Sequence, residues 1–379
     1  MIFELKEEHL AVQEAAREFA QKDLKPGVIE RDSTMAYPKE QVKKMAELGF
    51  LGMMADPAYG GGGMDTLSYV IAMEEISKVD NSCSVIMSVN NSLVCWGIEA
   101  YGTEAQKQNY LPKLTSGEWI GSFCLSEPEA GSDATSQQTT AVDMDDYYLL
   151  NGTKNWITNG GTSNIHLVIA QTDREKGHRG INAFIVETSW PGVTIGAKED
   201  KLGIRSSDTH TIMYNDVKVP KSNRIGEDGF GFKFAMKTLE GGRIGIAAQA
   251  LGIAAGSLEL ALQYSKERET FGKPIAQHQA IAFKLAEMAT EVEAARLLVY
   301  KAAMLKDAGQ DYALASAMAK YYASEVAMKA ATEAVQIHGG YGFVKEYHVE
   351  RLFRDAKITQ IYEGTSEIQK IVISRQILS

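Results

Sequence analysis

The sequence predicts an α+β protein in three zones, helical at both ends with a β zone between them. Two observations predict it. Apolar residues recur at helical spacing in residues 1–120 and again in residues 231–379. Residues 121–230 instead break into short β-prone runs bounded by turn signals, the pattern of an antiparallel sandwich or barrel. No helical segments alternate with those runs, so a doubly wound parallel sheet is not expected.

The elements follow in order. Residues Glu8 to Phe19 place Leu10, Val12, Ala16 and Phe19 near one face of a helix. Pro57 and Gly60 to Gly63 predict a loop. That glycine run lacks the G-x-G-x-x-G spacing after a strand, so it is a poor dinucleotide fingerprint. Leu67 to Val79 is a second helical segment. The β-prone runs are Tyr147–Leu150, Ile165–Ala170, Ala183–Val186 and Thr211–Tyr214. Asn151-Gly152, Asn159-Gly160-Gly161, Pro191-Gly192 and Asn215-Asp216 separate them as turns. A long helix is expected from about Leu239 to Lys266. In the next, Ile281, Leu285, Met288, Val292, Ala295 and Val299 form one apolar stripe, with Lys284, Glu287 and Glu291 off it. Leu314 to Ile337 is alanine-rich, which suits close helix approach. Three or four such helices read as a bundle.

Composition narrows the function. A chain of 379 residues with 45% apolar content is ordinary for a globular protein of two or three domains. A net charge of −10 argues against nucleic-acid binding. The three cysteines, Cys83, Cys95 and Cys124, fit neither a zinc site nor a disulfide framework. Seven scattered histidines indicate no metal. The acidic, polar N-terminus does not read as a signal or transit peptide, and no apolar run of about 18 residues suggests a membrane span. A reducing, cytoplasmic setting is the expectation.

Five segments stand out as candidates. In Ile361–Lys370, Glu363 lies between Tyr362 and Gly364, just before Ser366 and Gln369, which have capping-box spacing. Glu363 is thus expected in a turn before a helix. Beside a hydrophobic wall it would be a general base with a raised pKa. In water it would be a solvated carboxylate favoured by the helix dipole. The loop Ser126–Asp133 offers hydroxyls and free N–H groups to a polar ligand, or is a plain surface turn. Trp156 offers a stacking face for a flat ligand, or fills the core. Arg268 would bind a phosphate or complement a helix end. Gln336–Gly340 reads as a helix stop, with His338 as a packing residue.

In combination these motifs are specific. Phe123–Pro128, Gly131-Ser132-Asp133, Trp156–Gly160, Gly203–Ser207, Gly242–Ala247, Arg268–Gly272 and Gln336–Gly340, with the Glu363 segment, resemble the acyl-CoA dehydrogenase family over essentially the full length. The likeness is greatest to its short-chain, butyryl-CoA branch. It implies an N-terminal helical domain (1–120), a central β domain (121–230) and a C-terminal four-helix bundle (231–379), assembled as a homotetramer (a dimer of dimers). It also implies FAD. Phe123, Leu125, Ser126, Gly131, Ser132, Trp156, Ile157 and Thr158 would contact it, with Thr365 and Glu367. Arg268, Phe271, Gln279, Gln336, Ile337, Gly339 and Gly340 would reach it from the neighbouring subunit. Ser132, Glu240, Arg243, Tyr362 and Gly364 would face the acyl-CoA.

The chemistry implied is removal of the α-proton by Glu363 and transfer of the β-hydrogen as hydride to flavin N5. A trans-2-enoyl-CoA results, and electrons pass to electron-transfer flavoprotein. The thioester carbonyl would be polarised by the Glu363 N–H and a flavin ribityl hydroxyl. Some branches carry the base on an earlier helix, at the position of Gly242 here, which has no side chain. Glu240 is about 200° further round that helix and points elsewhere. Glu129 and Ala130 depart from the family pattern, and Glu129 must point outward from an anionic cofactor. Glu240 replaces a more usual Asp. Medium- or branched-chain dehydrogenation, an oxidase, and a non-catalytic FAD-binding scaffold remain as alternatives.

Overall fold

The computed structural model describes residues 4–378. Its N-terminal part is helical: α1 (Glu7–Phe19), α2 (Val28–Thr34), α3 (Lys39–Glu47), α4 (Thr66–Ser77), α5 (Asn81–Ser88), α6 (Trp96–Tyr101) and α7 (Glu104–Thr115). Local chemistry starts these helices. The Asp65 carboxylate caps α4 by accepting from the Ser68 N–H at 2.8 Å, and Thr103 and Gln106 form a reciprocal capping box at α7. A π-helical stretch, Val89–Cys95, links α5 to α6.

The central strands are β1 (Gly121–Cys124), β2 (Thr140–Asp143), β3 (Tyr147–Thr158), β4 (Ile165–Gln171), β5 (Ile181–Glu187), β6 (Val193–Lys198), β7 (Thr209–Pro220) and β8 (Arg224–Ile225). They form one sheet in the order β6-β7-β3-β2-β4-β5-β8, with β1 also on β4. The expected antiparallel pairing needs correcting at two places, both against β4: β2 meets it parallel, with Thr140 opposite Gln171. β1 runs parallel to β4, Gly121 opposite Ile165 and Cys124 opposite Val168. A parallel neighbour requires a long crossover. Here the crossover holds the Leu125–Thr139 loop and the β2–β3 pair, and that loop reaches the cavity described below.

The C-terminal part holds α8 (Gly231–Glu267), the hairpin β9 (Glu269–Thr270) and β10 (Lys273–Pro274), α9 (Gln279–Asp307), α10 (Ala313–His338), α11 (His348–Thr359) and α12 (Ser366–Leu378). α8 starts two turns earlier than its periodicity suggests. Its first turns contain Gly231 and two phenylalanines, modest helix formers. Tertiary packing supplies the rest, with Phe234 against Tyr101 and Phe123 at ring-centroid distances of 5.8 and 6.4 Å.

The three sequence zones do not own three separate cores. One apolar cluster merges α1, α4 and α5 with α8, α9 and α10. A second joins the α5–α7 region to β4, β5 and the start of α8. A third lies within the sheet. α8 therefore belongs to two of them. An 18-residue window of α8 averages a hydropathy of 1.5, enough for a membrane span and more than the sequence reading expected. That window is 83% buried inside the protein, so its apolar character serves the core.

Asp355 on α11 ties the zones together. It accepts from the Ile204 N–H at 2.5 Å, the Asn81 amide at 3.2 Å and Arg351 at 3.1 Å. Arg351 also binds the Val79 carbonyl at 2.6 Å. Gly203 is required there, because a Cβ would strike the Arg354 carbonyl. The Gly203–Ser207 motif is thus a junction that fixes α11, and α11 leads directly into the loop of Glu363.

Candidate active site

A cavity of about 500 Å³ lies where the three zones meet. Four pieces of chain bring polar groups to it: the Phe123–Ala134 loop, the end of β3, the first half of α8, and the turn between α11 and α12.

Each piece is held by identifiable chemistry. The Phe123–Ala134 loop is anchored from beneath by a buried lysine. Lys154 on β3 donates to the Leu125 carbonyl at 3.0 Å, to Glu127 at 2.7 Å and to Gln137 at 2.6 Å. Glu127 also accepts from the Gln138 and Thr139 N–H groups at 2.5 and 3.1 Å. Lys154 and these donors hold Glu127 below the usual carboxylate range despite its burial. Burial pushes Lys154 down to about 8.

At the end of β3, the register against β7 slips between Lys154 and Ile157. Trp156 has φ +58° at this bulge, which turns its side chain off the pleat. It is 57% exposed and lines the cavity. The core reading of Trp156 is thereby overturned, because periodicity of 2 fails at a bulge. Glu129, as expected, is exposed.

Glu363 follows α11 with φ +51°, and Gly364 continues at φ +94°. A side chain in that backbone region is strained. The turn is pinned on both sides. Lys320 of α10 donates to the Gly364 carbonyl at 2.6 Å, and Gln369 of α12 donates to the same oxygen at 2.9 Å. The Tyr362 hydroxyl donates to Gln249 of α8. The expected capping box is displaced by one residue. Thr365 caps α12, its Oγ1 accepting from the Ile368 N–H at 3.3 Å. Ser366 instead donates to Glu325 at 2.8 Å, and Gln369 spends its amide on the turn. Both residues had partners that local spacing does not reveal.

Glu363 borders the cavity, and its Oε2 is enclosed with no hydrogen-bond partner among the described residues. Burial pushes its pKa up to about 7, against the opposing charges of Lys320 and Arg243. A solvated helix-start carboxylate is therefore excluded. Gly242 on α8 makes room for it: a Cβ there would collide with Glu363 Oε2 and with Leu93. Arg243, the next residue, is buried, borders the cavity and leaves Nε unpartnered.

The expected residues fall into two groups. Phe123, Leu125, Ser126, Gly131, Ser132, Trp156, Ile157, Thr158, Arg243, Tyr362, Glu363, Gly364 and Thr365 all border the cavity. Arg268, Phe271, Gln279, Gln336, Ile337, Gly339 and Gly340 do not. They gather at the C-terminal end of α8, where Arg268 lies 5.7 Å from the Tyr341 ring centroid. Phe271, at the hairpin tip, is 96% exposed. Glu367 is exposed in the first turn of α12. Glu240 is half-buried and paired with Lys237 at 2.9 Å, outside the cavity lining. Sequence reasoning missed Lys320 and Gln249, and the apolar wall of Val85, Val89, Leu93 and Leu239. The wall carries no signal, being apolar residues on core helices. Lys320 had one: a lone charge in the alanine-rich stripe of α10.

Comparison with known proteins agrees with this geometry. Residues 6–118, 122–217 and 229–378 match the N-terminal, middle and C-terminal domains of acyl-CoA dehydrogenase. The chain is 51% identical over 377 residues to the short-chain specific acyl-CoA dehydrogenase of Clostridium acetobutylicum, spanning 100% of both. Butyryl-CoA dehydrogenase from Megasphaera elsdenii superposes with a TM-score of 0.98 at 50% identity, over 100% of each chain. A chain from a study of the electron transferring flavoprotein of Acidaminococcus fermentans gives 0.99 at 51% identity, again over 100% of each. The Glu363 carboxylate at the meeting point of these three domains thus belongs to a flavin-dependent oxidoreductase, and the chain is a member of the acyl-CoA dehydrogenase family.

Proposed function

We propose that the protein dehydrogenates a short-chain acyl-CoA between C2 and C3, giving a trans-2-enoyl-CoA, with Glu363 as the base. The observation that carries this reading is the Glu363 carboxylate on the cavity, poised near neutral pH, with its Oε2 enclosed and without a hydrogen-bond partner among the described residues. A base near the working pH transfers protons most effectively. The Glu363 N–H also finds no acceptor among the described residues. It is free to polarise a thioester carbonyl, a donor worth about 3–4 kcal/mol when preorganised. Gly242 keeps a second side chain out of the carboxylate's path. Arg243 opposes the charge that Glu363 carries.

The cavity fits the family's FAD. Trp156 turns a bare face to it, Ser126 and Thr158 border it, and a Cβ at Gly131 would meet nothing within 4 Å. Phe123, Leu125, Ser132, Ile157 and Thr365 would complete the hold. FAD, when bound, supplies the acceptor for the β-hydrogen as hydride. The exposed group around Arg268 and Phe271, with Gln279, Gln336 and Gly340, lies apart from the cavity and would serve a second copy's cofactor in a homotetramer. The likeness to the Acidaminococcus chain supports an electron-transfer flavoprotein as the electron partner.

Steady-state rates on C4 to C12 and branched acyl-CoAs, with an artificial electron acceptor, test the reading. Highest kcat/KM at C4 is expected. A preference for longer or branched chains would overturn the short-chain assignment, and peroxide release would indicate an oxidase. No turnover of any acyl-CoA would return the scaffold alternative.

A further inference from the structure

Lys320 is buried in the third turn of α10, between small residues that pack against α8. Its ammonium has three donors. The acceptor it meets among the described residues is the Gly364 carbonyl, at 2.6 Å. Gln369 already binds that carbonyl. A neutral donor at position 320 would hold it equally well. Burying a charge is costly unless the charge is used, so the hydrogen bond alone does not account for a lysine here.

The charge has a use one residue away. Resting on the reading of Glu363 as the base, we propose that Lys320 is its positioning residue: it fixes the Glu363–Gly364 turn and supplies the positive charge that keeps Glu363 ionised in a water-poor cavity. The groups facing this pair come from four elements. Arg243 of α8 also stabilises the carboxylate but repels Lys320. Glu325 of α10 and Glu367 of α12 act on Lys320 more weakly than Glu363 does. Glu325 is engaged by Ser366. Tyr69 of α4 and Tyr362 feel the Glu363 charge, and both are driven further toward the neutral phenol by it. Lys320 is the larger of the two cationic influences on Glu363.

Three holoenzymes test this: wild type, Lys320→Gln, which keeps a donor for the Gly364 carbonyl but loses the charge, and Lys320→Arg, which keeps the charge. The reading is the acid limb of the kcat–pH profile with butyryl-CoA. In Lys320→Gln the limb should move up by about 1–3 pH units, with KM little changed and rate recovering at high pH. Lys320→Arg should keep the wild-type limb. A limb in Lys320→Gln that coincides with wild type overturns the proposal. If the glutamine variant does not fold, Lys320→Met replaces it. If neither neutral variant yields holoenzyme, the arginine variant decides, a shifted limb counting against the proposal. An infrared titration of the Glu363 carboxyl, taken as the difference from Glu363→Gln, reads the same midpoint without turnover. It separates the two ideas. A wild type inert toward acyl-CoA whose midpoint still depends on Lys320 sinks the dehydrogenase reading alone. An active enzyme whose midpoint ignores Lys320 sinks this inference alone.

Discussion

The chain buries two lysine–glutamate neighbourhoods, and they behave oppositely. Lys154 and Glu127 touch at 2.7 Å, and every contact around them is a hydrogen bond to loop or strand. Glu127 is locked in its charged form. Lys320 and Glu363 share a region without bonding to each other. The lysine holds a carbonyl, and the carboxylate is left with an unpartnered oxygen and a pKa near 7. The same two residue types thus give a scaffold where the pair is satisfied and a reactive group where it is not. Satisfaction of the acceptor, rather than burial, separates structure from chemistry here.

That contrast can be broken from either side. The largest effect is expected at the reactive pair. Glu363→Gln should leave a folded, yellow protein whose dehydrogenation rate falls by about 10²–10⁴-fold. Steady-state kinetics measures it, and retained activity would remove Glu363 from the chemistry. At the satisfied pair the loss should appear in stability instead. Lys154→Met strands a buried Glu127 and should cost about 3–5 kcal/mol, read by urea unfolding of the holoenzyme. A small change would mean that water or the loop relaxes to rescue Glu127.

A third experiment joins rate to stability through the sign of the shift. Glu363 has a folded-state pKa of about 7 against an ordinary 4.5, so the folded state holds the proton more tightly. Its contribution to stability is therefore full below 4.5 and lost as pH rises through about 7. Glu363→Gln cannot ionise. It should be more stable than wild type above pH 7, by up to ~3 kcal/mol, and the difference should vanish in acid. Equal melting temperatures at both pH values would show that Lys320 and Arg243 already offset the burial. The smallest effect is expected at Gly242→Ala, whose methyl must displace the carboxylate. Its rate should fall by up to about 10²-fold, with little change in unfolding.

How much of this was legible beforehand follows from the range of each signal. α1, α4, α9 and α10 could be read because each packs one periodic face, or is apolar or alanine-rich throughout. The start of α8 could not, since Phe234 finds its partners, Tyr101 and Phe123, more than a hundred residues away in the chain. The turn at Glu363 was read correctly from Gly364 and the helix signal behind it. Its cap was misplaced by one residue, because Ser366 and Gln369 are claimed by Glu325 and by the turn's own carbonyl. For Trp156 the residues alone left stacking and core both open, because a bulge reverses the face a strand residue takes. Lys320 stood out as a charge in an alanine-rich stripe, but its role stayed hidden because its partner, the Gly364 carbonyl, has no sequence signature.

α8 has a further consequence. At 37 residues it spans ~55 Å, and it is a shared wall of both large cores and of the cavity. A hinge between the helical ends of the molecule would have to tear this rod from one of them. Ligand entry and exit must then be the work of short turns and single side chains around a stiff frame. The same frame should make the helical zones melt as one cooperative unit. Ligand capture in the cavity should raise the melting temperature of the whole chain, with no stable C-terminal fragment released by limited proteolysis.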